Sequence, residues 1–291
     1  MIPRFLRRHL QMTALNHGVQ ISRHRYDLDS YFVSKKYEDR LIHRTAQCLD
    51  EFLTSQDVFP IDRSIRTTEL TRDFYELYKS KPYKGLTGSS GFNSLLSLFS
   101  FTQHIQPDLI VESGVFIGQS TWCLRNAAPD ATIESFDIDL SHLQYVNSSV
   151  HFHEHDWSEF QLPGFKPDQA ICFLDDHVDQ VRRLLECYER GFKYVCFDDN
   201  TPVEWLHLAG HGAPMLDFMF DEDLEDGESI EWQSDGVRYR YDVDLAYLNR
   251  GKAVIAEYAK FPVPTLSLTN GFSMGNPLTI VKLKSNQHSN G

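Results

Sequence analysis

Two short acidic stretches carry much of the chemistry in this sequence, "FLDDH" at 173–177 and "FDDN" at 197–200. Each closes an apolar, β-rich run. If those runs are adjacent parallel strands, about 4.8 Å apart, Asp175 and Asp199 converge on one point and Asn200 adds a neutral oxygen. An all-oxygen set with few charges and room for water favours Mg²⁺ over zinc, with Mn²⁺ and Ca²⁺ as alternatives. The competing reading has Asp175, Asp176, Asp198 and Asp199 capping loops, with His177 a surface or hydrogen-bonded histidine. Four crowded carboxylates raise one another's pKa values unless a cation neutralises them, so metal binding is the preferred expectation.

A second stretch, "VESGVFIGQSTW" at 111–122, turns from an apolar run into a helix-like one. It lacks the close-set glycines of a dinucleotide fingerprint. It offers Glu112, Gly114, Gly118 and Ser120 instead. Hydroxyl and amide donors at a helix start suit a carboxylate and a nearby acid attracts an ammonium, so a ligand with a zwitterionic end is indicated. Asp137, about 20 residues after the turn and at the end of "TIESFDID", is placed for a ribose. Asp156, after "HFHEH", is placed for an adenine amino group. Taken singly, each acid is more often a cap or a solvated corner; three in register point to a site. "HLAGH" puts His207 and His211 at HxxxH spacing, but Gly210 and Gly212 disfavour a helix, so a loop over the substrate is expected rather than a ligand pair.

The elements that must position these residues follow from periodicity. Residues 1–106 read as a helical cap, with "YEDRLIHRTAQCLDEFL", "ELTRDFYELYKSK" and "FNSLLSLFSFTQHI" at helical spacing and a glycine- and serine-rich loop, "KPYKGLTGSSG", between the last two. From 107 to 285 short β-rich runs, "DLIVES", "ATIESFDID", "VHFHEHD", "QAICFLDD" and "KYVCFDD", mostly end at acids, and helical patterns separate several of them. That alternation predicts a doubly wound, mostly parallel α/β sheet, whose ligands bind beyond the carboxyl ends of the strands. "DFMFDEDLEDGESIEW" lies in an acidic insertion of about 205–245 and reads as a solvated lid edge. "KAVIAEYAKF" and "PLTIVKLK" read as the last strands, and 286–291 as a flexible tail.

Composition bounds the partners. With 28 Lys+Arg against 41 Asp+Glu the net charge is -13, which repels phosphate backbones, so nucleic acid is not expected. Five cysteines without a CxxC pair read as reduced core thiols and favour the cytoplasm. No run approaches the roughly 18 apolar residues of a membrane helix, so no stable membrane insertion is expected. "MIPRFLRRHL" lacks the apolar segment of a secretory signal and reads as a frayed helix start, with a weak membrane-surface contact as the alternative.

Residues 107–200 resemble the core of the class I S-adenosylmethionine-dependent methyltransferases. The resemblance implies a Rossmann-like sheet with S-adenosyl-L-methionine as cofactor. Glu112, Gly114, Gly118 and Ser120 would border its methionine half, Asp137 the ribose, and Asp156 and Trp157 the adenine. The strand-end acids further resemble the cation site of the catechol O-methyltransferase group, and equally that of the metal-dependent macrocin-type sugar O-methyltransferases, in which Asp198 would join the ligands. The catechol group's lysine base is replaced here by Val178, and His177 matches the base position of the sugar enzymes.

The expectation is therefore a cytoplasmic, Mg²⁺-assisted O-methyltransferase with Asp175 and His177 catalytic. It would act on one hydroxyl of a vicinal diol in a small molecule, a sugar or a phenolic natural product, and a homo-oligomer is compatible with it. The alternatives are a non-catalytic binding or assembly protein on the same fold, or a metal-dependent hydroxylase or hydrolase.

Overall fold

The computed structural model describes residues 35–82, 90–203, 206, 212–234, 236–262 and 277–286. The expectations for the amino-terminal stretch, for most of the 81–91 loop, for His207 and His211, and for the end of the tail lie outside the described residues.

Three helices come first, α1 (Lys35–Ser55), α2 (Thr67–Lys79) and α3 (Phe92–Ile105). α1 buries Ile42, Ala46, Leu49 and Leu53, one apolar stripe at intervals of three and four. α2 buries Leu70, Phe74, Tyr75 and Tyr78 against it and against Phe92 of α3. α3 is buried on nearly every side and ends at Gln106, which turns left-handed (φ 50°) ahead of Pro107. A residue before proline is disfavoured in the helical region, so the helix stops there.

The α/β part follows as β1 (Leu109–Ser113), α4 (Gln119–Ala127), β2 (Thr132–Phe136), β3 (Val150–His153), β4 (Ala170–Leu174), α5 (Gln180–Glu189) and β5 (Tyr194–Phe197). Then come a hairpin, β6 (Ser229–Ser234) with β7 (Val237–Asp242), α6 (Leu245–Val254), β8 (Ile255–Lys260) and β9 (Thr279–Leu283). Seven strands form one sheet in the order β3-β2-β1-β4-β5-β9-β8. The first five run parallel and β9 is antiparallel to both its neighbours, so the expected doubly wound, mostly parallel sheet is present. "KAVIAEYAKF" is strand only from Ile255, because its first residues finish α6.

Alternate residues of β1 face opposite cores. Ile110 packs with Ile133, Ile171 and the cap helices, whereas Leu109 and Val111 pack with Phe136, Cys172 and α5. Strands β1, β4 and β5 are buried throughout, as central strands covered on both faces must be. Cys123, Cys172, Cys187 and Cys196 are free and buried. At the sheet's edge, Glu134 of β2 pairs with His151 (2.9 Å) and His153 (2.6 Å) of β3. Among the described residues no helix is long and apolar enough to cross a membrane.

Strand order reverses between β1 and β4, because β2 and β3 go to one side and β4 and β5 to the other. Their carboxyl ends therefore diverge into a crevice, the place where open α/β sheets hold ligands.

Candidate functional site

Three strand ends are fastened at that crevice. Asp175 N donates to Ser113 O (2.7 Å) and Asp198 N to Leu174 O (3.0 Å), carrying the parallel ladders past the last strand residues. Gly114 (φ +94°) follows β1, and a Cβ there would lie 2.2 Å from Asp175 O, so only glycine lets the two turns approach so closely. His177 (φ 57°) and Asp199 (φ 53°) are both left-handed without being glycine. That costs on the order of 1 kcal/mol or more each and persists only where the surroundings hold the turn.

The result is a tight cluster. His177 Nε2 is 3.0 Å from Asp199 Oδ2 and 3.5 Å from Asp175 Oδ1. One ligand atom from each of Asp175, His177 and Asp199 falls within 4.8 Å of the others. Burial, then Asp198, Asp199 and Asp176, push the Asp175 carboxyl well above its ordinary value. Burial and Asp199 push Asp198 up to about 7. The hydrogen bond that the imidazole donates to Asp199 raises the pKa of His177, against the opposing effect of burial. Carboxylates this crowded need a cation or protons.

Asn200 does not join them. It is fully buried, its Nδ2 faces Asp217 Oδ1 (2.9 Å), Tyr258 OH (2.8 Å) and Thr279 Oγ1 (3.1 Å), and its Oδ1 accepts from Asp217 N (3.0 Å). Asp217 also takes Tyr258 and Lys260. The amide expected at the ion is thus spent on a network tying β5 to β8 and β9, and the third polar side chain beside Asp175 and Asp199 is His177. Asp198 is held by the Ser90 hydroxyl (2.9 Å) and by the Asp199 amide (3.0 Å).

On the glycine-turn side Glu112 is fully buried, and its Oε2 accepts from Thr121 Oγ1 and Ser135 Oγ, both at 2.7 Å. Its Oε1 has no hydrogen bond of ordinary geometry. Burial raises its pKa, and the hydroxyls of Ser120, Ser135 and Thr121 oppose that. Gly118 (φ +85°) starts α4 with Ser120 in the first turn, and a Cβ on Gly118 would lie 2.9 Å from Tyr145 Cβ. Asp137 Oδ2 accepts the amides of Val115 (2.8 Å) and Phe116 (2.9 Å), so it shapes the turn from across the strand.

Two residues expected at the adenine are engaged elsewhere. Asp156 takes Arg183 in a two-pronged pair (2.9 and 2.7 Å) and accepts from Ser158 N (2.8 Å), which with burial opposing holds its carboxyl well below the usual range. Trp157 is wholly enclosed beneath the Arg190 guanidinium (4.6 Å to the ring centroid) and packs edge-on to Phe192. It is a core residue, because no part of its ring reaches the surface.

Reading the sequence did not single out Ser113, Arg183 or Asp217. Arg183 alone had a visible signal, lying on the buried stripe of α5 with Gln180, Leu184 and Cys187, where a charge needs a partner.

No family model matches this chain, and no curated protein matches it. Among solved structures, a CmcI structure described with SAH is 19% identical, with 41% of this chain and 66% of that one covered, just under two thirds, and a TM-score of 0.35. A CmcI structure described with Mg-SAM is 15% identical, with 72% and 78% covered and a TM-score of 0.43. The O-methyltransferase TomG from Streptomyces achromogenes, described in complex with SAM and as involved in tomaymycin synthesis, is 16% identical, with 84% and 98% covered and a TM-score of 0.42.

Proposed function

We propose that this chain is an S-adenosylmethionine-dependent O-methyltransferase that uses a divalent ion, Mg²⁺ first, and methylates a hydroxyl of a small molecule bearing neighbouring oxygens. The observation that carries this reading is the cluster of Asp175, His177 and Asp199 beside the glycine turn at the sheet's switch point.

The residues present fit both groups. Gly114 and Gly118 leave the turn without side chains, the start of α4 offers donors to a carboxylate, and the buried Glu112, whose Oε1 makes no hydrogen bond of ordinary geometry, is an acid suited to an ammonium. Asp137 keeps lone pairs for ribose hydroxyls beyond the amides it already accepts. Asp175 and Asp199 would hold the ion, whose charge would lower the pKa of an acceptor hydroxyl and orient two adjacent oxygens.

Methyl transfer from a sulfonium is an in-line displacement. When bound, the cofactor would supply the methyl group from its sulfonium to the acceptor oxygen, the electron pair of the broken C–S bond going to sulfur. The chain must align oxygen, methyl and sulfur and remove the hydroxyl proton. His177 is the proton acceptor in this reading, because it is half exposed at the crevice and Asp199 holds its imidazole and stabilises its charged form. A second reading makes His177 Nε2 a third ligand to the ion, favoured by its place within the cluster.

Calorimetry with S-adenosylhomocysteine, with and without Mg²⁺, tests the proposal. Binding of the nucleoside that tightens with the ion is expected. Failure to bind it, or preference for a nicotinamide dinucleotide, overturns the methyltransferase reading.

A further inference from the structure

The turn that carries Asp175 and His177 is held from behind by a buried cation. Arg183 of α5 is 2% exposed, and its Nε lies 2.7 Å from Asp176 Oδ2 while its two terminal nitrogens grip Asp156. Asp176 Oδ2 also accepts from Ser113 Oγ at 2.6 Å. Asp176 therefore stands between the end of β1 and α5, and it sits between the two residues of the cluster in sequence. Through Asp156, the same guanidinium reaches the segment that follows β3.

From this geometry we infer that Asp176 and Arg183, with Ser113, are positioning residues for the metal turn. They hold the 175–177 turn so that His177 keeps the left-handed conformation (φ 57°) in which its ring meets Asp199. The physical need is plain. A left-handed, non-glycine His177 relaxes toward ordinary backbone unless its neighbours are fixed, and Asp176, its immediate neighbour, is anchored on two sides. Toward Asp176 the Nε contact is an ion pair at 2.7 Å rather than an aligned hydrogen bond, while the terminal nitrogens donate to Asp156 and Glu186 and so fix the plane of the guanidinium, which an ammonium would not. Arg183 is one buried cation facing Asp156, Asp176 and Glu186, so the surplus negative charge keeps the fork in place.

This inference rests on the proposed metal site, and its test separates the two. Mn²⁺ affinity and amide hydrogen exchange of the 174–178 segment are measured on the full chain for the wild type and for Asp176→Asn, Ser113→Ala, Arg183→Lys and Glu186→Gln. Expected is a loss of Mn²⁺ affinity of roughly ten- to a hundredfold in the first three, as for residues that orient metal ligands, with faster exchange in 174–178. Glu186→Gln, which removes only the outer partner of Arg183, should change neither. Asp176→Asn removes a charge as well as an anchor, whereas Ser113→Ala and Arg183→Lys change no charge. If only Asp176→Asn weakens Mn²⁺ binding and exchange stays at the wild-type rate, the effect is charge alone and positioning is overturned. If the wild type binds no Mn²⁺, the metal reading falls, and the exchange rates still decide whether these residues hold the turn.

Discussion

Gly114 and Asp175 are packed so closely that a single methyl group at Gly114 would sit 2.2 Å from the Asp175 carbonyl oxygen. The proposed cofactor turn and the proposed metal turn are thus one packed unit, and disturbing either moves the other. Gly114→Ala combines that clash with a side chain at φ +94°, so it should weaken binding of both S-adenosylhomocysteine and Mn²⁺. Gly164→Ala, where a Cβ meets nothing within 4 Å, is the control and should change neither. Calorimetry on both variants checks this, and wild-type affinities in Gly114→Ala would show that the two turns are independent.

The acids at the strand ends give the metal-free protein a definite pH dependence. Asp175 and Asp198 have folded pKa values raised above their unfolded ones, so above about pH 4 the fold binds more protons than the unfolded chain and loses stability as pH rises. For Asp198 that loss runs up to its folded value of about 7. His177 acts in the same direction, since its raised pKa stabilises the fold below about pH 6.5, and this is lost as pH rises through its folded value. A divalent ion replaces the missing protons, so the gain in Tm on adding Mn²⁺ should be larger near pH 8 than near pH 5.5. Thermal melts across that range decide it, and a gain independent of pH would mean the ion binds elsewhere.

Asp137 has two tasks, accepting the Val115 and Phe116 amides and, as proposed, the ribose. Asp137→Ala should weaken S-adenosylhomocysteine binding by about 1.5–3 kcal/mol, the worth of a charge-assisted hydrogen bond. Asp137→Asn keeps an acceptor oxygen for the turn and should lose less. Equal, unchanged affinities in both variants would remove Asp137 from the cofactor site.

Asn200 was expected at the ion and is found in the Asp217–Tyr258–Thr279 network. Asn200→Ala should lower stability by roughly 2–4 kcal/mol, because it leaves several buried polar groups unsatisfied. Mn²⁺ affinity should hardly change, whereas Asp199→Asn should lose it. Denaturant unfolding together with Mn²⁺ titration reads both quantities, and the reverse pattern would restore Asn200 as a ligand.

Much of this site could be read from sequence because it lies where local rules apply. Apolar runs that end at acids define β1, β2, β4 and β5, and the close approach of the β1 turn to Asp175 requires the glycine at 114. Direction is harder to read. Asn200 follows Asp199 immediately, yet faces the opposite way, because Asp217, Tyr258 and Thr279 lie 17 to 79 residues further along the chain. Asp156 and Trp157 lie beyond a strand end, as a ligand-binding residue would, but long-range contacts with Arg183 and Arg190 decide what they touch. The place of a polar residue along a strand is local information, whereas its partners are set by the tertiary fold.

His177 is the residue on which the proposed chemistry turns, since its Nε2 lies between Asp199 and Asp175 and two roles compete for it, proton acceptor and ligand. As the proton acceptor it should cost the reaction about 10²-fold or more in kcat when changed to alanine, with S-adenosylhomocysteine and Mn²⁺ affinities close to wild type. The wild-type rate should rise with pH as the imidazole loses its proton. The hydrogen bond to Asp199 moves that rise above the ordinary histidine range, and a nearby divalent ion moves it back down. Asp199→Asn should therefore shift the acid limb downward as well as weakening the ion, and His177→Ala should abolish that limb. Single-turnover rates against pH, measured at saturating cofactor and Mn²⁺, separate the two roles. A His177→Ala protein that loses Mn²⁺ affinity in step with its rate would make the imidazole a ligand. One that keeps its rate and acid limb would move the proton to another group in the crevice.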